Sequence, residues 1–308
     1  MSCFDARILI NNLPTFESNV PATADVIAYR RFYNIDFTEQ GCKQQLGMIS
    51  GAGFNIATQR FKPAVSQGQA LLVHGYHDHH ALYGHLIRYL LERNLTVTSF
   101  DLPGHGLSSG GRGTIADFDL YQQVLSSVLD TLPDRGQHCH WLGQSTGAAI
   151  INQYLLSQKP IIDGNIVLIA PLVRPAQWQL VKLAHNLVKP WVDSLQRKFT
   201  DNSHDQAFLC FLKEQDMLQG QTITVEWVSA LKRWIPQFLE LPGSTDYRPL
   251  ILQGQQDDTV DWRYNLKVLE QKFPGAQTLL LPQGRHHLAN EAVDIRNQYL
   301  HWIDQNWL

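Results

Sequence analysis

The apolar residues of this chain fall in short blocks that alternate with longer amphipathic stretches. Residues 43–61 read as an opening pair of strands with turn residues at Ser50-Gly51-Ala52-Gly53. Ala70-Leu71-Leu72-Val73 is a compact apolar run that stops at His74-Gly75. Residues 81–92 then put Leu82, Leu86 and Leu90 on one stripe, which predicts a helix. The alternation goes on with a strand over 95–100, a helix over 118–132, a strand over 138–142, a helix over 146–157 and a strand over 165–170. Strands separated by helices form βαβ units, and these build a parallel sheet covered on both faces.

The pattern changes after Pro171. Up to residue 243 it reads as helices alone; strands resume at 249–253 and 278–281, and residues 290–307 end the chain as a helix. A helical stretch set between two strands of one sheet predicts a cap over the C-terminal edge of the strands, where open α/β folds bind ligands. The expectation is an α/β fold with a mostly parallel central sheet, helices on both faces and an inserted helical cap. Its stretches are a first core part (1–171), the cap or lid (172–243) and a second core part (244–308). Pro190 should end or kink the first cap helix. Residues 172–199 hold five bases (Arg174, Lys182, Lys189, Arg197, Lys198) and one acid (Asp193), with Trp178, Val181, His185 and Val188 at helical spacing. Such a helix packs its apolar face on the core as a pocket roof, and it is also of the kind that lies in a membrane interface.

Composition narrows this little. A length of 308 residues suits one large domain or one domain with an insertion. A net charge of -3 makes no electrostatic case for nucleic acid. The first residues lack the basic-then-apolar order of a signal peptide, and no apolar run approaches the roughly 18 residues of a spanning helix. Cys3, Cys42, Cys139 and Cys210 lie far apart and form no Cys-x-x-Cys pair, which favours free thiols in a reducing compartment. The expected location is cytoplasmic, with peripheral membrane contact through the cap as the variant.

Gly143-Gln144-Ser145-Thr146-Gly147 fits Gly-x-Ser-x-Gly. Such a pattern arises by chance about one time in ten in a chain this long, so its setting decides. Here a strand enters and a helix leaves, as a nucleophile elbow requires. The glycines give room for a strained turn that lifts the serine hydroxyl to a helix N-terminus. One oxyanion donor would be the backbone N–H of Thr146, and Tyr76, after His74-Gly75, is the candidate for the other. His77, His79, His80 and His85 match no zinc spacing and read as solvated histidines at the pocket mouth, so no metal and no cofactor is expected. After the serine, chain order calls for an acid and then a histidine, each at a strand end. Asp257, Asp258 and Asp261 are the acids in reach, and His286 and His287 the bases.

These segments resemble the monoacylglycerol lipase/lysophospholipase group of α/β-hydrolases. The resemblance rests on His74-Gly75-Tyr76, on DLPGHGLSSGGRG from Asp101 with Phe118 and Tyr121 beyond it, on the elbow, on Gly254-Gln255-Gln256-Asp257 and on the run from His286 to Glu291. It covers roughly residues 43–305. In that group the acid stands three residues after the glycine, which implies Asp257, and the histidine five before a glutamate, which implies His286. Gln144 and Thr146 depart from the His and the Met or Leu often found there. His105 and Ser108 are expected to shape the turn after Asp101. The resemblance implies a Ser145–His286–Asp257 serine hydrolase acting on a small-molecule acyl ester or lipid. Cleavage of another acyl bond (peptide, thioester or C–C) on the same triad is the alternative, and a non-catalytic ligand-binding protein the remote one.

Overall fold

The structure is a computed structural model describing residues 4–18, 20–136 and 138–307. Of the four cysteines, Cys3 lies outside the described residues; Cys42, Cys139 and Cys210 are free thiols.

Eight strands form one sheet: β1 (Lys43–Gly51), β2 (Phe54–Lys62), β3 (Gly68–Val73), β4 (Leu95–Phe100), β5 (Cys139–Gln144), β6 (Ile166–Ile169), then β9 (Leu250–Gly254) and β10 (Gln277–Leu281), with β7 (Ser194–Gln196) and β8 (Thr222–Thr224) lying elsewhere. Their order is β1-β2-β4-β3-β5-β6-β9-β10. β1 and β2 pair with each other, and β2 with β4, in antiparallel register; the remaining pairs are parallel. The β1–β2 hairpin turns at Ala52 (φ 51°) and Gly53 (φ 82°), both in the left-handed region that a two-residue hairpin turn of matching twist demands.

Every residue of β4, β6 and β9 is buried, as a parallel sheet covered on two sides requires. Alternate residues of β3 serve opposite faces. Leu71 and Val73 join one core with α4 (Phe118–Leu129), α5 (Thr146–Gln158) and α9 (Trp262–Lys272). Ala70 and Leu72 join the other, with α2 (Ala24–Phe32), α3 (Gly84–Glu92) and α10 (Val293–Asn306). Burying a leucine of this kind contributes about 1.5–3 kcal/mol, so two-sided burial outweighs strand propensity here. The N-terminal helices α1 (Ala6–Asn12) and α2 are capped by Asp5 and Thr23, and Phe4, Tyr29 and Tyr33 seat them on the second core.

Between β6 and β9 the chain forms α6 (Trp178–Val188), β7 (Ser194–Gln196), α7 (Gln206–Glu214), β8 (Thr222–Thr224) and α8 (Val225–Glu240). The expectation of helices alone is therefore corrected: β7 and β8 pair antiparallel, Ser194 opposite Thr224. Three-residue strands are too short for alternation to register. Helix α6 ends at Val188, ahead of Pro190. Its apolar residues serve two faces rather than one. Trp178 and His185 are buried, whereas Leu180, Leu183 and Leu187 are exposed, and Trp191 beyond them is 84% exposed. No helix among the described residues is long and apolar enough to cross a membrane.

Candidate active site

The carboxyl ends of β3, β5, β9 and β10 meet at one point under the inserted segment. Ser145, between β5 and α5, has φ 53° and ψ -114°, a strained backbone for a residue with a side chain. The neighbouring glycines make it possible. A Cβ on Gly147 would stand 2.2 Å from Val73 O, and one on Gly143 2.7 Å from the Gly147 carbonyl carbon. The turn is tied down by Ser145 N–H donating to Ile169 O at 2.8 Å.

Ser145 Oγ lies 3.0 Å from His286 Nε2, and His286 Nδ1 donates to Asp257 Oδ2 at 2.8 Å. Asp257 also accepts from Gln253 Nε2 (3.0 Å) and from the backbone N–H groups of Thr259 (2.9 Å) and Val260 (3.1 Å). Burial alone would raise the Asp257 pKa; the His286 imidazole and these donors outweigh it and hold the carboxyl below its usual range. For His286, burial would lower the pKa, and the Asp257 carboxylate outweighs it and raises it. Ser145 and His286 are each 7% exposed and line a cavity of about 820 Å³.

The other candidates stand apart. His287 turns its Nε2 toward Asp78 Oδ2 at 3.3 Å. Asp258 is exposed on the cavity rim. Asp261, the third acid in reach, caps α9 through Tyr264 N–H and pairs with Arg174 Nη2 at 2.6 Å, a partner distant in sequence. Tyr76 and Thr146 both line the cavity. Gly75 N–H is committed to Tyr83 Oη at 3.0 Å. The Tyr76 hydroxyl donates to Gly113 O at 2.7 Å, and its ring stacks on Trp227.

The histidines after Tyr76 are not solvated as expected, His85 excepted: His77, His79 and His80 are buried. His80 is held by Asp101, its Nδ1 donating to Oδ1 at 2.7 Å. His79 Nε2 lies 3.2 Å from both oxygens of Asp216, in the inserted segment. Their partners come from 21 and 137 residues away, which local sequence cannot display. Ser108 Oγ donates to Asp101 O at 2.7 Å and accepts from Ala57 N–H at 2.9 Å, and His105 bonds Pro103 O, so both shape the turn after β4. His74, expected only as part of the strand-end loop, accepts Leu102 N–H at 2.8 Å on Nε2; burial lowers its pKa to about 3. Among the described residues no group of three or more His, Cys, Asp and Glu could hold a metal ion.

The family described as "Serine aminopeptidase, S33" matches residues 65–293. A Monoglyceride lipase of Mus musculus is 25% identical over 282 residues, 85% of this chain and 89% of that protein. An abhydrolase domain-containing protein of Dictyostelium discoideum is 25% identical over 259 residues; the match covers 80% of this chain but only 27% of that longer protein. A soluble variant of Monoglyceride lipase from Saccharomyces cerevisiae, solved with a substrate analog, superposes with a TM-score of 0.70 at 17% identity, covering 87% of this chain and 96% of that one. The last likeness establishes the α/β-hydrolase fold.

Proposed function

We propose that this chain, which belongs to the Serine aminopeptidase, S33 family, cleaves carboxylic esters of monoacyl lipids through Ser145, His286 and Asp257. The observation that carries the reading is the continuous hydrogen-bonded line from Ser145 Oγ through His286 to Asp257, opening on a largely apolar cavity.

The chemistry follows from the geometry. His286 Nε2 takes the proton of Ser145 as its oxygen attacks the ester carbonyl, and Asp257 stabilises the imidazolium. The backbone N–H groups of Tyr76 and Thr146 receive the negative charge of the tetrahedral intermediate. His286 returns the proton to the departing alcohol; it then takes a proton from water as the water oxygen attacks the acyl carbon, and gives that proton to Ser145 Oγ as the bond from Oγ to the acyl carbon breaks and the acid leaves. Residues 172–243 serve as a cap: Leu172, Trp178, Val181, Trp227, Val228 and Leu231 give the acyl chain an apolar channel. The outer face of α6, with Leu180, Leu183 and Leu187 exposed beside Lys182 and Lys189, suits peripheral contact with a lipid surface. Relatives that are monoglyceride lipases support the ester over the peptide bond.

The test is a panel of acyl esters, thioesters and peptide amides of matched acyl group. Medium to long acyl esters should be turned over fastest. A clear preference for amides would overturn the reading in favour of peptide hydrolysis.

A further inference from the structure

The loop that carries Tyr76 is a tight turn, closed by Asp78 N–H donating to Gly75 O at 3.2 Å. Tyr76 and His77 are its two central residues, and His77 takes a φ of 70°. A left-handed φ at that position ordinarily calls for glycine, so a histidine persists there only where its surroundings over-determine the backbone. The turn sits against the nucleophile: a Cβ on Gly75 would stand 3.3 Å from Ser145 Cβ. Among the described residues Tyr76 N–H donates to no backbone acceptor, as befits a donor kept for a ligand.

One hydroxyl ties both limbs of this turn. Tyr83 Oη accepts Gly75 N–H at 3.0 Å and donates to Asp78 Oδ2 at 2.8 Å. A phenol donating to a buried carboxylate makes a charge-assisted bond, about twice as strong as a neutral one, and so fixes the hydroxyl with its lone pair on Gly75 N–H. Tyr83 has a rigid base. It is fully buried, ends the 3-10 turn His80–Tyr83 and leads into α3, whose Leu86, Ile87 and Leu90 are fully buried in the second core. Asp78 is buried too, and its Oδ2 also faces His287 Nε2 at 3.3 Å, on the loop that carries His286. The same carboxylate therefore meets the Tyr76 turn on one side and the His286 loop on the other.

We infer that Tyr83 and Asp78 are positioning residues for the oxyanion hole: they lock the turn from Gly75 to Asp78, so that Tyr76 N–H stays aimed at the oxygen bound beside Ser145. Neither takes part in the bond changes. An oxyanion donor acts only if it already stands within about 2.7–3.1 Å of the place where the charge appears, so a turn released at both limbs forfeits transition-state binding and leaves ground-state binding alone. This rests on the ester-hydrolase reading above.

The test compares two inhibitors of one shape. A long-chain alkyl trifluoromethyl ketone accepts Ser145 Oγ at its carbonyl carbon; the Oγ proton passes to His286, and the carbonyl oxygen becomes an oxyanion. The corresponding trifluoromethyl carbinol fills the same cavity and forms no such adduct. Tyr83→Phe should lower kcat on an acyl ester by about tenfold or more and weaken the ketone by a like factor, with KM and the inhibition constant of the carbinol within about twofold of wild type. Asp78→Ala should show the same selective loss, and Asp78→Asn, which keeps an oxygen for the Tyr83 hydroxyl, should recover most of it. A smaller loss in Tyr83→Phe, or equal weakening of ketone and carbinol, overturns the inference. Should Tyr83→Phe not fold, the contrast between Asp78→Ala and Asp78→Asn decides, and its absence overturns the inference. Failure of the ester-hydrolase reading shows separately: a wild type that neither turns over esters nor is inhibited by the ketone overturns that reading and the inference with it, whereas an active wild type with unselective variants overturns the inference alone.

Discussion

Gln144 Oε1 accepts the backbone N–H of Ala289 at 3.0 Å. The residue before Ser145 thus grips the loop that carries His286, two elements 145 residues apart in sequence. Gln144→Ala frees that loop. A misplacement of a catalytic group near 1 Å costs up to about a hundredfold, so kcat should fall by about tenfold while KM moves less than about twofold. Steady-state kinetics on one ester checks this; a change in KM alone would place Gln144 in substrate binding instead.

Asp257 and Asp258 are neighbours with opposite surroundings, one buried against His286 and the other exposed. Asp257→Asn should lower kcat by about ten-thousandfold, the loss seen when a triad histidine is left in the wrong tautomer. Asp258→Asn should cost less than about threefold, as befits a surface change. A reversal of the two would move the acid by one residue.

As the proposed base, His286 must be neutral to accept a proton from Ser145, and Asp257 raises its pKa. Activity on the ester should therefore rise with pH around a midpoint above 6.5, the ordinary histidine value. Asp257→Asn removes the stabilising carboxylate, so its residual activity should show a lower midpoint. A pH–rate profile with an unchanged midpoint in the variant would contradict the pairing.

What could be read from the sequence follows from what is local. The core strands, the elbow and the loops around Asp257 and His286 were legible because burial on two faces, the Gly-x-Ser-x-Gly turn and strand-end order each write a pattern into adjacent residues. Helices α1 and α2 carry weak patterns and were not anticipated; their place depends on Phe4, Tyr29 and Tyr33 meeting α3 and the second core. The buried histidines were misread because Asp101 and Asp216 reach them from elsewhere in the chain. Arg197 looked like one more lysine-or-arginine on a basic surface; only the fold turns it toward the cavity.

His79 and Asp216 join the core to the inserted segment through a fully buried pair, with Tyr33 Oη donating to Asp216 at 2.8 Å. Burial opposes both charges, yet each partner outweighs it, so the His79 pKa is raised and the Asp216 pKa lowered. The raised histidine contributes stability that is full below 6.5 and lost as pH rises through its folded value; the lowered carboxyl contributes above 3.8, lost as pH falls through its own. Asp216→Ala should cost about 3–5 kcal/mol by stranding a buried partner. The difference in melting temperature between wild type and variant should be largest between those two values and shrink above them. A difference independent of pH would mean that the pair is not ionic.

The hydroxyl of Tyr76 donates to Gly113 O, so it is already committed. Tyr76→Phe should lower turnover less than about tenfold if the backbone N–H is the oxyanion donor. A loss of hundreds-fold would make the hydroxyl itself a donor or a substrate contact.

The nucleophile is tested most directly by reacting the intact protein with a fluorophosphonate and mapping the adduct by mass spectrometry, beside Ser145→Ala. One adduct on Ser145, absent from the variant together with a loss of ester turnover of about a thousandfold or more, is the expected result. An adduct on another residue, or a variant whose turnover stays within about tenfold of wild type, would contradict the assignment of Ser145.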